Sequence, residues 1–251
     1  MNLREKITLT KDKKLSIYFP AGYPKKDSAL ELIPRLEKSG IDFIELGMPF
    51  SDPMADGPTV QEASTIALNN GMNIEVLFEQ VKQVRETSDL PIVLMGYFNP
   101  VLQFGIEKFA EFCKSTKIDG VLIPDLPIEV YIQKYKSIFE AAEVPLVFMV
   151  TPDVSAERLK LIDQQNSPFI YLVAKSNITG SNTLFGTEDI ESNLKSFSER
   201  PIETPVVVGF GISDAASFQD ATKHFSGGII GSAFIKSLAS ESADTFIESL
   251  R

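Results

Sequence analysis

The sequence has little of the chemistry that metal and redox enzymes use. Its 251 residues include one cysteine, Cys113, and one histidine, His224. A single cysteine excludes an intrachain disulfide, and the amphipathic run around Cys113 predicts a buried helix position. A single histidine, far from other clusters of ligand-type residues, argues against a histidine-based zinc site and against a Ser-His-Asp triad. We therefore expect no metal site.

Long hydrophobic runs are also absent. No run of about 18 apolar residues is present, so we expect no membrane span. The first six residues lack the apolar core of a signal peptide, and a reducing cytoplasm is the expected location. The net charge of −10 and the pI of about 4.8 disfavour nucleic acid and anionic membranes as partners. They do not exclude an anionic substrate, because backbone N–H groups can form a local pocket for it.

The apolar residues, 43% of the chain, form a repeated pattern. Eight short apolar runs of strand length alternate with longer amphipathic stretches, at residues 15–19, 43–46, 92–95, 120–123, 146–150, 169–173, 206–208 and 228–230. Continuous hydrophobicity is typical of parallel strands that are buried on both faces. The pattern predicts an α/β fold, a single-domain (β/α)₈ TIM barrel over residues 1–251. A doubly wound sheet is the alternative, but residues 19–24 lack its Gly-rich turn.

One acidic residue interrupts the second apolar run near its carboxyl end. A buried carboxylate is costly unless it is paired, so Glu45 is either bonded to nearby backbone or a general acid/base of raised pKa. A long polar loop follows it and carries Asp52 and Asp56. These two can be turn-forming aspartates, or they can belong to a site at the carboxyl ends of the strands, where barrels build their active sites.

Glycines follow the last two apolar runs. The segments 207–213 and 227–233 each read as a strand end, then glycine, then a serine that starts a helix. Glycine lets backbone N–H groups approach a phosphate, and the helix N-terminus adds partial positive charge. The loop 175–180 is a further phosphate contact or simply a flexible polar loop. Together they predict a phosphorylated small molecule as the ligand.

Several of these segments are similar to those of the tryptophan synthase alpha subunit family. The most specific is the block 45–58, Glu-Leu-Gly-Met-Pro-Phe-Ser-Asp-Pro-Met-Ala-Asp-Gly-Pro. Shorter matches follow the other predicted strands, at residues 19–24, 95–100, 124–127, 171–176, 179–180, 209–213 and 231–232. The resemblance implies a lyase of tryptophan biosynthesis that cleaves indole-3-glycerol phosphate to indole and glyceraldehyde 3-phosphate. It also implies no cofactor in this chain, and a beta subunit that carries pyridoxal phosphate in an alpha2-beta2 tetramer.

The same resemblance assigns roles to individual residues. The catalytic pair falls on Glu45, which transfers protons, and Asp56, which holds the indole N–H. Substrate contacts fall on Tyr18, Tyr97, Tyr171, Thr179, Gly180, Phe210, Gly211, Gly231 and Ser232. Asp52 resembles a residue at the interface with the beta subunit.

Three positions depart from the family pattern. Lys175 stands where an arginine is usual, Asn177 where a glycine is common, and Tyr18 where phenylalanine is frequent. Lysine keeps the charge but loses the two-pronged geometry, and asparagine tolerates the left-handed backbone. Three other functions stay open: a silent barrel that only activates a beta subunit, another phosphate-binding barrel such as an isomerase, and a lyase that works alone.

Overall fold

The computed structural model describes residues 1–173, 187–209, 211–240 and 242–250, with the backbone alone for 187–190. Eight parallel strands close into a barrel in sequence order, since the eighth pairs with the first. The strands are β1 (Lys14–Pro20), β2 (Phe43–Gly47), β3 (Ile92–Met95), β4 (Gly120–Leu122), β5 (Leu146–Val150), β6 (Ile170–Val173), β7 (Val206–Gly209) and β8 (Gly227–Ile230). The predicted TIM barrel is confirmed, and the doubly wound alternative is wrong.

Helices surround the barrel and connect its strands. They are α1 (Leu3–Thr8), α2 (Ser28–Lys38), α3 (Pro58–Asn69), α4 (Ile74–Val84), α5 (Phe98–Phe104), α6 (Ile106–Ser115), α7 (Ile128–Val130), α8 (Lys136–Ala141), α9 (Ala156–Asp163), α10 (Thr187–Ser198), α11 (Ala215–Thr222), α12 (Ser232–Ala239) and α13 (Ala243–Ser249). A π-helical turn, Tyr131–Tyr135, joins α7 to α8. Within the described ranges, no helix is long and apolar enough to cross a membrane.

Local sequence explains where these helices begin, end and pack. In α2 the apolar residues recur at helical spacing, so one face is buried against the barrel, and the helix stops before Gly40, whose φ is +75°. In α6 the buried face includes Cys113, as the sequence predicts. In α1 the side chains of Asn2 and Glu5 form a capping box, which fixes the start of this short helix.

The strand registers arrange the barrel interior in layers. Because the strands are tilted, inward side chains at one height come from alternate strands. The registers place Glu45 in a layer with Leu122, Tyr171 and Ile229. The layer above it, at the mouth, holds Tyr18, Met95, Met149 and Gly209, and the layer below holds Ser16, Val93, Val147 and Val207.

The lowest layer closes the barrel at the amino-terminal ends of the strands. Phe43 and Phe169 meet there across the interior, with ring centroids 5.3 Å apart. Beneath them α1 contributes Leu3 and Ile7 to the same buried cluster. The interior is therefore filled from below, and the space that the described residues leave inside the barrel lies at the carboxyl ends of the strands.

Candidate active site

A cavity of about 390 Å³ opens at the carboxyl ends of the strands. Its floor and walls come from inward residues of the two upper layers, and its rim comes from the loop after β2, the loop after β7 and the start of α12. The lining residues include Tyr18, Glu45, Asp56, Val60, Met95, Tyr171, Gly211, Ser213, Ile229, Gly231, Ser232 and Lys236. The volume suits one small organic molecule.

Glu45 lies on the cavity floor and is fully buried, at 0% exposure. Neither of its carboxyl oxygens has a hydrogen-bond partner in the described part of the chain. The interpretation of Glu45 as a structural residue bonded to backbone is therefore wrong for this structure. Burial raises the pKa of its carboxyl from 4.5 to about 8. Glu45 consequently holds a proton near neutral pH and can give it up to a substrate.

Asp56 faces the same cavity from the loop after β2. The hydroxyl of Tyr97 donates a hydrogen bond of 3.0 Å to its carboxylate and accepts one from the Ala55 N–H. The side chain of Gln61 donates to the Asp56 carbonyl at 2.8 Å. Burial raises the pKa of the Asp56 carboxyl, and the Tyr97 bond opposes that rise. Although Asp56 also closes a turn onto Pro53, its carboxylate is oriented toward the cavity by specific contacts.

Two tyrosines, Tyr18 and Tyr171, line the cavity, and each packs against a glycine at a strand end. A Cβ atom on Gly47 would lie 2.8 Å from the Tyr18 hydroxyl, and one on Gly209 would lie 1.9 Å from the Tyr171 hydroxyl. Only glycine leaves room for these rings. Burial raises the pKa of both phenols well above the ordinary value, and the negative charge of Glu45 adds to that rise. Both side chains therefore stay neutral.

Glycines and a helix start form the far end of the cavity. Gly211 adopts a φ of +83°, which favours glycine and exposes its backbone to the cavity. Gly231 precedes α12, whose first residue is Ser232 and whose fifth is Lys236. A helix N-terminus with a hydroxyl and an amine nearby is suited to an anion such as phosphate.

The structure brings most of the predicted site residues together. Those that line the cavity are Tyr18, Glu45, Asp56, Tyr171, Gly211, Gly231 and Ser232. Tyr97 does not line the cavity itself but is hydrogen-bonded to Asp56, which does. Asp52 is exposed on the loop after β2, which also carries Asp56. Thr179, Gly180 and Phe210 lie outside the described residues, as do Lys175 and Asn177.

Several residues that line the cavity were not predicted as site residues from the sequence, among them Met95, Ile229 and Lys236. Met95 and Ile229 point inward from β3 and β8, and Lys236 reaches the rim from α12. The alternation of inward and outward side chains along each strand could have identified the first two. Lys236 follows Ser232 by four residues, which is one helical turn, so its position on the same face was also readable.

The opposite end of the barrel has a second hollow of about 290 Å³, which includes His224 and Arg200. The Arg200 guanidinium is already bonded to the carbonyls of Pro152 and Val154. Among the residues that the structure describes, no three histidine, cysteine, aspartate or glutamate side chains group in a way that could hold a metal ion. The observations that favour chemistry are therefore confined to the Glu45 cavity.

A buried carboxyl of raised pKa, a second carboxylate facing the same cavity and an anion-binding end define an acid–base enzyme of the (β/α)₈ barrel class. Comparison with known proteins makes this specific. The family model described as tryptophan synthase alpha chain matches residues 5–249. A tryptophan synthase alpha chain from Flavobacterium psychrophilum is 50% identical over 232 residues, which cover 92% of this chain and 91% of the relative. One from Phocaeicola vulgatus is 44% identical over 246 residues, covering 98% and 95%.

Solved structures agree with the sequence comparisons. The alpha chain from Legionella pneumophila superimposes with a TM-score of 0.87 at 27% identity, covering all of this chain and 96% of the other. The chain belongs to the tryptophan synthase alpha chain family. It is a carbon–carbon lyase of tryptophan biosynthesis that cleaves indole-3-glycerol phosphate to indole, which goes to the beta subunit. The alternative of another phosphate-binding barrel, such as an isomerase, is thereby wrong.

Proposed function

We propose that Glu45 is the proton-transfer group of the cleavage reaction. Its carboxyl gives a proton to C3 of the indole ring, which leaves the ring nitrogen positively charged. The carboxylate then takes the proton of the glycerol hydroxyl next to the bond that breaks. The O–H electrons form the aldehyde C=O, the C–C electrons return to the ring, and Glu45 is protonated again. The observation that supports this role is an unpartnered carboxyl, raised in pKa to about 8, on the cavity floor.

Asp56 is the group that stabilises the charged ring. Its carboxylate faces the cavity and accepts a hydrogen bond from Tyr97, so its direction is fixed before the substrate binds. A fixed negative charge next to the indole N–H stabilises the cationic intermediate more than the neutral substrate. Tyr18 and Tyr171, which line the cavity, contact the organic part of the substrate.

The phosphate binds at the end of the cavity that Gly211, Gly231 and Ser232 form. Backbone N–H groups and the start of α12 supply partial positive charge there, and Lys236 adds a full one. Thr179 and Gly180, which lie outside the described residues, stay predicted contacts at this end, and Phe210 stays a predicted indole contact.

Glutamine and asparagine variants test the two carboxyl groups. Glu45→Gln keeps the shape and removes the transferable proton, so we expect no detectable cleavage with an unchanged circular dichroism spectrum. Asp56→Asn should lower kcat by about a hundredfold or more, because a charged partner is lost where the positive charge develops. Cleavage by Glu45→Gln at the wild-type rate would overturn the mechanism, and unchanged kinetics for Asp56→Asn would reduce that residue to a turn former.

The partner proposed for this chain is a beta subunit in an alpha2-beta2 tetramer, with pyridoxal phosphate in the beta subunit and none in this chain. The loop after β2 suits an interface, since Met54 on it is 91% exposed and Asp52 is exposed beside it. A large apolar side chain in that position is stabilised when a partner covers it.

The cytoplasmic location also stays a prediction.

Mixing experiments test the partner. Cleavage of indole-3-glycerol phosphate is measured for the chain alone and with its beta subunit, and the complex is sized by light scattering. We expect a rate increase with the beta subunit that Met54→Ser and Asp52→Ala weaken. No complex and no rate increase would favour a lyase that works alone.

A further inference from the structure

Ser16 is a polar side chain in an otherwise apolar part of the barrel interior. It lies on β1, fully buried, and shares its layer with Val93, Val147 and Val207. Its hydroxyl oxygen has no hydrogen-bond partner among the described residues. An unbonded hydroxyl in such a place costs free energy, whereas a methyl group would not.

Glu45 is the neighbour that can accept a hydrogen bond from this hydroxyl. Tyr18 on β1 is the register partner of Glu45 on β2, and Ser16 is the next inward residue below Tyr18. Because alternate strands form the layers, Glu45 lies one layer below Tyr18 and one layer above Ser16. The carboxyl oxygens of Glu45 and the hydroxyl oxygen of Ser16 are thus unpartnered groups on adjacent strands of the same buried interior.

Other polar groups near Glu45 have different positions or partners. Lys14, the inward residue below Ser16, bonds to Thr10 and lies 3.6 Å from the Asp42 carboxylate. Tyr18 and Tyr171 are at or above the height of Glu45, and Asp56 and Lys236 stand at the mouth. Ser16 is therefore the hydroxyl below the carboxyl, on the side away from the substrate.

We infer that Ser16 is a positioning residue whose hydroxyl donates a hydrogen bond to the Glu45 carboxylate once Glu45 has given its proton to the substrate. In the resting state the carboxyl is neutral, so the missing bond costs it less than it would cost the ionised form, which agrees with the two unpartnered groups. When the charge appears, the hydroxyl of Ser16 is the unpartnered donor in the layer below it. The bond stabilises the ionised form and holds the carboxylate in place until it takes the second proton. This inference rests on the role proposed above for Glu45.

Three variants of the full chain test this inference. Ser16→Ala removes the donor, Ser16→Thr restores a hydroxyl in a side chain that suits a strand, and Val147→Ala is the control that changes packing in the same layer. The single-turnover rate of indole-3-glycerol phosphate cleavage is measured from about pH 6 to about pH 10, together with the KM.

We expect Ser16→Ala to cleave the substrate about tenfold more slowly with an unchanged KM. The alkaline limb of its pH–rate profile should move up by about one pH unit, because the ionised form of Glu45 loses its hydrogen-bond donor. Ser16→Thr should recover most of the rate and return the limb, and Val147→Ala should leave the limb in place. A wild-type rate and limb in Ser16→Ala would overturn the inference. A slow Ser16→Ala with an unmoved limb, unrescued by threonine, would also overturn it and indicate a packing role.

The variant Glu45→Gln separates the two proposals. If it is inactive while Ser16→Ala behaves as wild type, only the role of Ser16 fails. If Glu45→Gln still cleaves the substrate, the proposed function of Glu45 fails first, and that of Ser16 with it.

Discussion

At the position of Glu45, a carboxyl group takes the place that an apolar side chain would fill in a barrel built for stability alone. Its neighbours in the layer are Leu122, Tyr171 and Ile229, and no described group bonds to its oxygens. The chain accepts this cost because a carboxyl whose pKa is raised to about 8 can act as an acid and then as a base. The same burial that makes the residue reactive therefore makes it destabilising when it ionises.

The destabilisation has a definite pH window. The folded pKa of about 8 lies above the ordinary value of 4.5, so between them the folded chain keeps a proton that the unfolded chain has lost. The stability from neutral Glu45 is complete below pH 4.5 and is lost as the pH rises through about 8. We expect the free energy of unfolding of Glu45→Gln to exceed that of wild type by a few kcal/mol at about pH 9, since each unit of pKa shift corresponds to about 1.4 kcal/mol. The difference should be smaller at about pH 5.

Urea unfolding across this pH range measures the difference. The exposed residue Glu86 offers a matched control, since Glu86→Gln makes the same chemical change outside the interior. A difference between Glu45→Gln and wild type that stays constant with pH would contradict the raised pKa.

The glycine at the end of β7 also has a specific role at the residue scale. A Cβ at Gly209 would lie 1.9 Å from the Tyr171 hydroxyl and 2.2 Å from its Cζ, so alanine there must displace the ring into the cavity. We expect Gly209→Ala to lower kcat/KM by about tenfold or more, since small misplacements at a site cost that much. Gly120→Ala is the control, because its Cβ would meet atoms no closer than 3.5 Å. Equal activity of the two variants would show that Tyr171 is not constrained by Gly209.

Among the elements, the strands were predictable and the short helix after β3 was not. The eight apolar runs match the eight strands because β-branched, doubly buried segments have few other structures available. Residues 98–104 are different: they form α5, an extra helix after β3, and its exit at Gly105 has a φ of +98°. No apolar period distinguishes such a short element from a loop, since seven residues make barely two turns.

The site likewise has features that the sequence could predict and features that it could not. Glu45 was identifiable because a charge in an apolar strand is conspicuous, and the family block made Asp56 identifiable too. The bond between Tyr97 and Asp56 was not, because it joins residues 41 positions apart through the packing of two loops. Ser16 also escaped notice, since a serine in a strand carries no signal until the registers place it beneath Glu45.

The connection between the loop after β2 and the start of α5 depends on one hydroxyl. Tyr97 bonds to Asp56 and to the Ala55 N–H, and its ring lies 5.4 Å from that of Phe50. We expect Tyr97→Phe to keep the ring contact, to free the loop and to lower kcat/KM by about tenfold, the typical effect of a lost hydrogen bond to a charged group. Limited proteolysis should then cut this loop faster.

A second tyrosine provides the control for this loop. Tyr135 packs its ring against Phe98 at 5.4 Å, on the other side of α5, so Tyr135→Phe removes a hydroxyl without touching Asp56. If Tyr97→Phe resembled Tyr135→Phe in rate and proteolysis, the hydroxyl of Tyr97 would not hold the loop.

In the whole molecule, function and stability are located at opposite ends of one barrel. The cavity and its loops occupy the carboxyl ends of the strands, and α1 closes the other end with Leu3 and Ile7. These two side chains are 2% exposed and pack under the phenylalanine layer, so that layer and the layer of Ser16 separate them from the cavity floor at Glu45. Changes there should therefore alter the free energy of unfolding without altering the reaction.

Truncation of the α1 side chains tests this separation. We expect Leu3→Ala and Ile7→Ala each to lower the free energy of unfolding by about 2–4 kcal/mol, because each leaves a cavity in the interior. Leu9→Ala is the matched control, since Leu9 is 69% exposed just beyond the same helix and should change little. The kcat/KM for cleavage, measured well below the unfolding temperature, should stay at the wild-type value in all three. A loss of activity that tracks the loss of stability would mean that α1 and the active site are coupled through the layers between them.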